Sequence, residues 1–304
     1  MIVQIYEIQT PQDAERCIEL GVNHVGSVVQ SMDVWRIPLL KETVRLSGGT
    51  DTKSSMIPLF QDRDTIYRVI DYYRPDYVHL CNSLTDIEGN PLDPGDMVVF
   101  QSELKERFPE VGIIRSIPVP KQGTAPDFPS AELALSLQPA TDIFLTDTWL
   151  GREPVEGFLG ITGQRADPEI ARSLVQQSRR PVILAGGLSP DNVYNALMEV
   201  VPGGADTCTL TNRMDEGGNP VRFAKDFHKV KRFVEEVRRA ENELRREKLR
   251  LTEKLRGLEE DLKDREAALP AHSVRPHQMM VIEAIEDEIE GVEKELARYK
   301  AVSV

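Results

Sequence analysis

The sequence predicts a closed parallel (β/α)8 barrel over residues 1–235, followed by an α-helical coiled-coil hairpin over residues 236–304. Three observations carry this. Eight short apolar runs alternate with helical patterns, several helix starts place a capping residue before proline, and a weak repeat recurs at roughly two βα units.

The runs are Val3–Ile8, His24–Val29, Met56–Phe60, Tyr77–Cys81, Gly112–Ile117, Ile143–Thr146, Val182–Ala185 and Thr207–Thr211. Several are β-branched and apolar on both faces, the composition of strands covered on both sides in a parallel sheet. Thr10-Pro11, Asp167-Pro168 and Ser189-Pro190 each put an N-cap residue ahead of proline at the first helical position. A polar residue enters a strand at Asn23-His24, Asp76-Tyr77, Asp142-Ile143 and Asp206-Thr207, at intervals of about 53 to 66 residues. An open doubly wound sheet is the alternative; eight runs favour closure.

Beyond Phe223 the pattern changes. Val230, Phe233, Val237, Leu244, Leu251, Leu255, Leu258 and Leu262 keep heptad-like spacing in a segment rich in Glu, Arg and Lys. A break is expected near Leu269-Pro270, then a second helix carrying Ile282, Ile285, Ile289, Val292, Leu296 and Tyr299. Such seams pack one helix against another, within the chain or between chains. The linker from Pro270 to His277 holds two His and two Pro, but no local carboxylate or thiol completes a metal site, so it reads as a turn.

The net charge of −13 opposes binding to nucleic acid or an anionic membrane, since Lys and Arg of the helical segment alternate with Glu and Asp. No apolar run reaches the roughly 18 residues of a membrane span, and the first residues lack a signal-peptide pattern. Cys17, Cys81 and Cys208 show no CxxC spacing, so neither disulfides nor zinc are expected, and a reducing cytoplasm fits.

Barrels of this type carry their chemistry at the C-terminal strand ends. These ends offer Tyr6 and Glu7, Gln30 and Arg36, Cys81 and Asn82, Arg115, Asp147, Gly186-Gly187-Leu188, and Thr209, Thr211, Asn212 and Arg213. Gly186 and Gly187 would let backbone amides approach a phosphate, with a helix capped by Ser189 adding its positive end. A tight turn is the plainer reading of the glycine pair. Asp147, after an apolar run, would face the barrel mouth as a general acid or base; a helix cap or surface aspartate is its plainer reading. No pattern for a metal, nucleotide or flavin is present, so no cofactor is expected.

The segment Pro181-Val182-Ile183-Leu184-Ala185-Gly186-Gly187-Leu188-Ser189-Pro190-Asp191-Asn192-Val193 resembles the phosphoribosylanthranilate isomerase family of tryptophan biosynthesis. Gly160-Ile161-Thr162-Gly163, Leu145-Thr146-Asp147-Thr148 and Lys225-Asp226 follow the family order, and the likeness spans roughly residues 1 to 235. The resemblance implies a cofactor-free TIM barrel that converts an aminoaldose phosphate to an aminoketose phosphate. Asp147 matches the family's acid, which protonates the ribose ring oxygen. Gly163, Gly186, Gly187, Thr209 and Thr211 fall at substrate-binding positions, and Arg36 near the arginine that contacts the anthranilate part.

The chain departs from the family where the base should be. The family's cysteine at the end of the first strand is Tyr6 here, within Gln4-Ile5-Tyr6-Glu7-Ile8-Gln9. A phenol with a pKa near 10 is a weak base at neutral pH, and the carboxylate next door is Glu7. Strand alternation points Glu7 away from the side of Tyr6, unless the strand has already ended. The family's Ser-Ser-Gly phosphate loop is Cys208-Thr209-Leu210, and its Gly-Gly-Thr-Gly is stiffened by Ile161. Two readings stay open. One is a barrel that binds a phosphorylated sugar-type ligand and isomerises it with another base. The other is a non-catalytic or regulatory barrel that binds a ligand and uses its C-terminal helices for a homo-oligomer or protein partner.

Overall fold

A computed structural model describes residues 1–270 and 275–303. Eight parallel strands close into a barrel in sequential order, which excludes the open sheet. They are β1 (Ile2–Ile5), β2 (His24–Val29), β3 (Lys53–Pro58), β4 (Tyr77–Leu80), β5 (Gly112–Pro120), β6 (Ile143–Trp149), β7 (Val182–Leu184) and β8 (Gly204–Thr207). Closure is made by β1 against β8, with Gln4 opposite Asp206.

Seven helices cover the strands: α1 (Pro11–Glu19), α2 (Pro38–Arg45), α3 (Arg63–Tyr73), α4 (Gly95–Arg107), α5 (Ser130–Leu137), α6 (Pro168–Gln177) and α7 (Val193–Val200). Two apolar clusters fill the space between barrel and helices, one around Phe144, Leu174 and Leu197, the other around Met56, Ile70 and Leu104. Inside the barrel, Ile114, Ile143, Leu145, Ile183 and Ala185 form a separate cluster. Burial of such side chains on both sheet faces is the main stabilising term, at about 25 cal/mol per Å² of apolar surface.

Local chemistry accounts for most boundaries. Thr10 Oγ1 accepts from the Asp13 amide at 3.2 Å, and Asp167 Oδ1 accepts from Glu169 and Ile170, both ahead of an N1 proline. Ser189-Pro190 behaves differently. Ser189 and Pro190 form a turn, and α7 begins only after Asn192, whose side chain accepts from the Ser189 amide at 2.9 Å. The eighth strand lies earlier than the run Thr207–Thr211 suggests. It starts at Gly204, where a Cβ would stand 2.5 Å from the Ile2 carbonyl oxygen, and Thr209–Thr211 is a 3-10 turn.

An antiparallel hairpin, β9 (Asn212–Met214) and β10 (Pro220–Lys225), follows β8. The long helix α8 (Phe227–Ala267) comes next, then α9 (Pro276–Ala297). The chain divides into Met1–Ala240 and Glu241–Val304, so α8 contributes to both units. In the first unit α8 buries Val230, Phe233 and Val237 in the large outer cluster. In the second unit α9 runs antiparallel to the distal part of α8: Lys254 Nζ meets Glu288 at 2.7 Å and Lys248 Nζ donates to the Val302 carbonyl at 2.6 Å. Leu251, Ile282, Ile285 and Val292 are buried there. His272 of the linker lies outside the described residues. Among the described residues no helix is long and apolar enough to cross a membrane, and no group of three or more His, Cys, Asp or Glu could hold a metal ion.

Candidate active site

The C-terminal ends of the strands surround a cavity of about 770 Å³, open mouth included. Asp147, Tyr6 and Glu7 line it, as do Gly163, Gly186, Gly187 and Thr209. Arg36 does not. It is exposed and its guanidinium lies on the rings of Trp35 and Tyr72, 4.7 and 5.7 Å from their centroids. Thr211 is also outside the lining; its hydroxyl is buried and bonds the Cys208 carbonyl at 3.1 Å. Arg115 is buried beneath α4, bonded to Asn82 and near Met97 Sδ.

Asp147 stands near the end of β6. Its Oδ1 accepts from the Thr148 amide at 3.1 Å, and Gly160 packs so close that a Cβ there would lie 2.5 Å from Oδ2. Burial, then the charge of Asp206, push its pKa up to about 8. At neutral pH this carboxyl therefore carries a proton it can give away, the state that a general acid needs.

Tyr6 is not presented to the cavity as a base. Its ring covers Gly26, where a Cβ would sit 2.2 Å from the ring, and its hydroxyl turns into the barrel core. There Ser55 donates to it at 3.0 Å, and it meets His79 Nδ1 at 2.7 Å. The far nitrogen of His79 meets Ser116 Oγ at 2.8 Å. A neutral imidazole protonated on Nε2 satisfies this row of bonds. Burial supports that state by lowering the His79 pKa to about 3 and raising that of Tyr6 well above 10.

Glu7 reaches the cavity because β1 ends at Ile5 and the chain turns, with Glu7 at φ +63°. The simple alternation expected at this point has stopped. The carboxylate accepts from Arg222 Nε at 2.7 Å, Asn212 Nδ2 at 2.9 Å and the Phe223 amide at 3.2 Å. Burial alone would raise its pKa. The bonds from Asn212 and Arg222 and the charge of Lys225 outweigh it, and the pKa is lowered. Glu7 is thus a weakly basic, fixed anion, anchored by a hairpin that the sequence reading did not contain.

The remaining wall is glycine-rich. Gly186 and Gly187 adopt φ of +97° and +61°. A Cβ at Gly186 would lie 2.3 Å from Thr148 Oγ1, and one at Gly187 would lie 2.7 Å from the Gln164 backbone, so both positions need glycine. Neither amide donates to another described residue. With Gly163 and Thr209 they line the cavity, and the absence of side chains at the glycines lets backbone amides come close to an anion there.

Four further lining residues went unrecognised as a group: Asp206, Cys208, Cys81 and Arg222. Asp206 was visible as a lone charge in Gly204-Ala205-Asp206-Thr207, but in the repeat it read as a strand entrance. It is buried inside the barrel, and its Oδ1 accepts from Gln4 Nε2 at 3.1 Å. Burial raises its pKa to about 7, against the hydrogen bond from Gln4 and the charge of Lys225. Burial also pushes the Cys81 and Cys208 thiols up to about 12, which keeps both protonated.

No family model matches the chain. Individual proteins do. The chain is 30% identical over 238 residues to the N-(5'-phosphoribosyl)anthranilate isomerase of Methanocella arvoryzae, covering 78% of this chain and 97% of that protein. The corresponding protein of Methanosarcina acetivorans is 26% identical over 243 residues, covering 78% and 92%. Among solved structures, N-(5'-phosphoribosyl)anthranilate isomerase from Pyrococcus furiosus superposes with a TM-score of 0.55 at 21% identity, over 79% of this chain and 99% of that one. Phosphoribosyl anthranilate isomerase from Thermotoga maritima gives 0.56 at 20% identity, over 78% and 99%. At these identities the structures establish the shared barrel.

Proposed function

The chain belongs to the phosphoribosylanthranilate isomerase family, and from that premise we propose that it is a working isomerase of a phosphorylated aminoaldose. The reaction is the Amadori conversion of phosphoribosylanthranilate or a close analogue to the aminoketose phosphate. Asp147 carries the reading: a carboxyl at the end of β6, in the cavity, protonated at neutral pH. It gives its proton to the ribose ring oxygen as the ring opens. Gly186 and Gly187, with Gly163 and Thr209, bind the phosphate through backbone amides and a hydroxyl. Arg222 also lines the cavity; Glu7 neutralises its charge through Nε, while its terminal nitrogens bond no described residue and remain as donors for an anion.

No redox or group-transfer chemistry is required, so the reaction needs only proton transfers between substrate and side chains. The free thiols Cys17, Cys81 and Cys208 suit the reducing cytoplasm in which such a metabolite would be met. The helical unit 241–304 serves association with a second copy or another protein, and sedimentation of the full chain measures that directly. The activity itself is tested by the loss of phosphoribosylanthranilate fluorescence on mixing with the purified protein. Turnover at saturating substrate supports the isomerase; binding of the substrate without turnover favours the non-catalytic barrel.

A further inference from the structure

The reaction proposed above needs a group to take the proton from C2 of the sugar, and Tyr6, whose hydroxyl is tied to Ser55 and His79 and whose pKa is raised, does not supply it. We infer that Asp206, on the eighth strand, is that group, working as one member of a carboxyl pair with Asp147. The inference rests on the isomerase reading and deepens it.

Asp206 lines the same cavity as Asp147, and its charge is felt by Asp147. Its Oδ1 is held by Gln4, whose own carbonyl is held by His24 Nδ1 at 3.1 Å. Oδ2 makes no hydrogen bond among the described residues. The carboxylate is thus fixed at one oxygen and unoccupied at the other, which is how a base is aimed. The other basic groups of the lining are engaged. Both Glu7 oxygens accept bonds, both His79 nitrogens have partners, the Tyr6 hydroxyl is tied to Ser55 and His79, and the two thiols are protonated.

The environment also divides the roles. Burial raises both carboxyls; the charge of Asp206 raises Asp147 further, whereas the hydrogen bond from Gln4 and the charge of Lys225 act to lower Asp206, so Asp147 is the one that favours its proton. Titratable groups that sense Asp206 are Lys225, whose charge lowers it, and Asp147, Tyr6 and Cys208, each raised by it. His24 faces it through Gln4 and is neutral, its pKa lowered by burial to about 4. Pairs of acids separated by their surroundings in this way titrate as a unit and divide acid and base work.

The step balances without a co-reactant. The Asp147 proton passes to the ring oxygen as the C1–O bond breaks, and the nitrogen lone pair forms C1=N. Asp206 then takes the C2 proton. The C2–H electrons become C1=C2, and the C1=N electrons return to nitrogen. Asp206 then returns its proton to C1 of the enolamine while the C2 hydroxyl gives its proton to Asp147, which leaves the ketone and restores both carboxyls to their starting states.

The test uses the full chain, Asp206→Asn and Asp206→Glu, with phosphoribosylanthranilate as substrate and the reduced aminoketose phosphate analogue as a non-reacting ligand. Asp206→Asn should lower kcat by about a thousandfold and bind the analogue within about twofold of the parent. Asp206→Glu should recover part of the loss. In the parent, kcat/KM should rise with pH through an apparent pKa near 7, and substrate deuterated at C2 should react more slowly. Asp206→Asn turning over within tenfold of an active parent overturns the assignment and leaves the isomerase reading intact. A parent that binds the analogue but never turns over overturns the isomerase reading, and this one with it. Should Asp206→Asn not fold, the parent's profile decides: the absence of a rising limb between about pH 6 and 8 rejects Asp206.

Discussion

Glu7 and Arg222 meet at 2.7 Å, joining the end of the first barrel strand to a hairpin that follows the eighth. The pair spans 215 positions of sequence, and both Glu7 and the neighbouring Phe223 adopt left-handed backbone, at φ +63° and +61°. Two non-glycine residues held in that region at one contact point mean the surroundings impose the geometry. Glu7 is 2% exposed and Arg222 38% exposed, so the anion is enclosed while its partner is partly screened.

Removing the anion should loosen this junction. Glu7→Ala leaves Arg222, Asn212 and the Phe223 amide without their acceptor and should cost about 1–3 kcal/mol in urea unfolding at pH 7, discounted for the half-exposed arginine. The sign with pH follows from the lowered Glu7 pKa. Its contribution is complete above the unfolded carboxylate value near 4.3 and is lost as pH falls through the folded value. Parent and variant should therefore converge in strongly acidic solution. Equal stability at pH 7 would show that the hairpin is held by other contacts.

The phenol of Tyr6 gives the second prediction. Its hydroxyl serves Ser55 and His79 in the core, and the ring forms the cavity floor. Tyr6→Phe keeps the floor and should lower stability by about 1–3 kcal/mol by leaving His79 Nδ1 unsatisfied. Turnover should stay within tenfold of the parent. A thousandfold loss of kcat with unchanged folding would make Tyr6 a participant in the chemistry.

Ile161 supplies the third. It is a β-branched residue at φ +63°, following Gly160, which packs against Asp147. Left-handed backbone costs an L-residue about 1–2 kcal/mol. Ile161→Gly should raise the melting temperature or leave it unchanged, since relief of strain is offset by greater freedom of the unfolded chain. It should also alter KM more than kcat. A marked fall in stability would mean that Ile161 packing dominates its backbone strain.

The two raised carboxyls set a fourth expectation, opposite in sign to that for Glu7. Asp147 and Asp206 hold protons in the folded state at a pH where the unfolded chain has lost them. Stability should therefore fall as pH rises from about 4 to about 8 on their account. Asp147→Asn, which cannot ionise, should be more stable than the parent at pH 8.5 by at least about 1 kcal/mol. Thermal unfolding across pH checks it. Identical profiles for parent and variant would mean that Asp147 ionises normally.

The barrel could be read from the sequence because its strands are buried on both faces and announce themselves as short apolar runs. His24–Val29 was located to the residue. Thr10 and Asp167 cap helices as their Pro-first patterns require. The eighth strand slipped because Gly204-Ala205 is small and weakly apolar, while Thr207–Thr211 looks more β-branched. The hairpin Asn212–Lys225 is mostly polar and exposed, so no periodicity marks it, yet it supplies Arg222 and Asn212 to Glu7. Asp147 could be placed because it ends an apolar run. Asp206 could not, since its role depends on Gln4 and Asp147, which are distant in sequence, and on the inward face that the barrel gives it. Arg36, a candidate from the second strand end to which the resemblance gave an anthranilate contact, stacks on the local aromatic residues Trp35 and Tyr72 and is not part of the cavity lining.

Asp147 as the acid of a working isomerase is tested by the rate of phosphoribosylanthranilate fluorescence loss with the parent chain and with Asp147→Asn, at saturating substrate and neutral pH. The parent should turn over, and the variant should be slower by about a thousandfold, the size of a lost general acid. A parent that leaves the fluorescence unchanged, or a variant that matches an active parent, would contradict it.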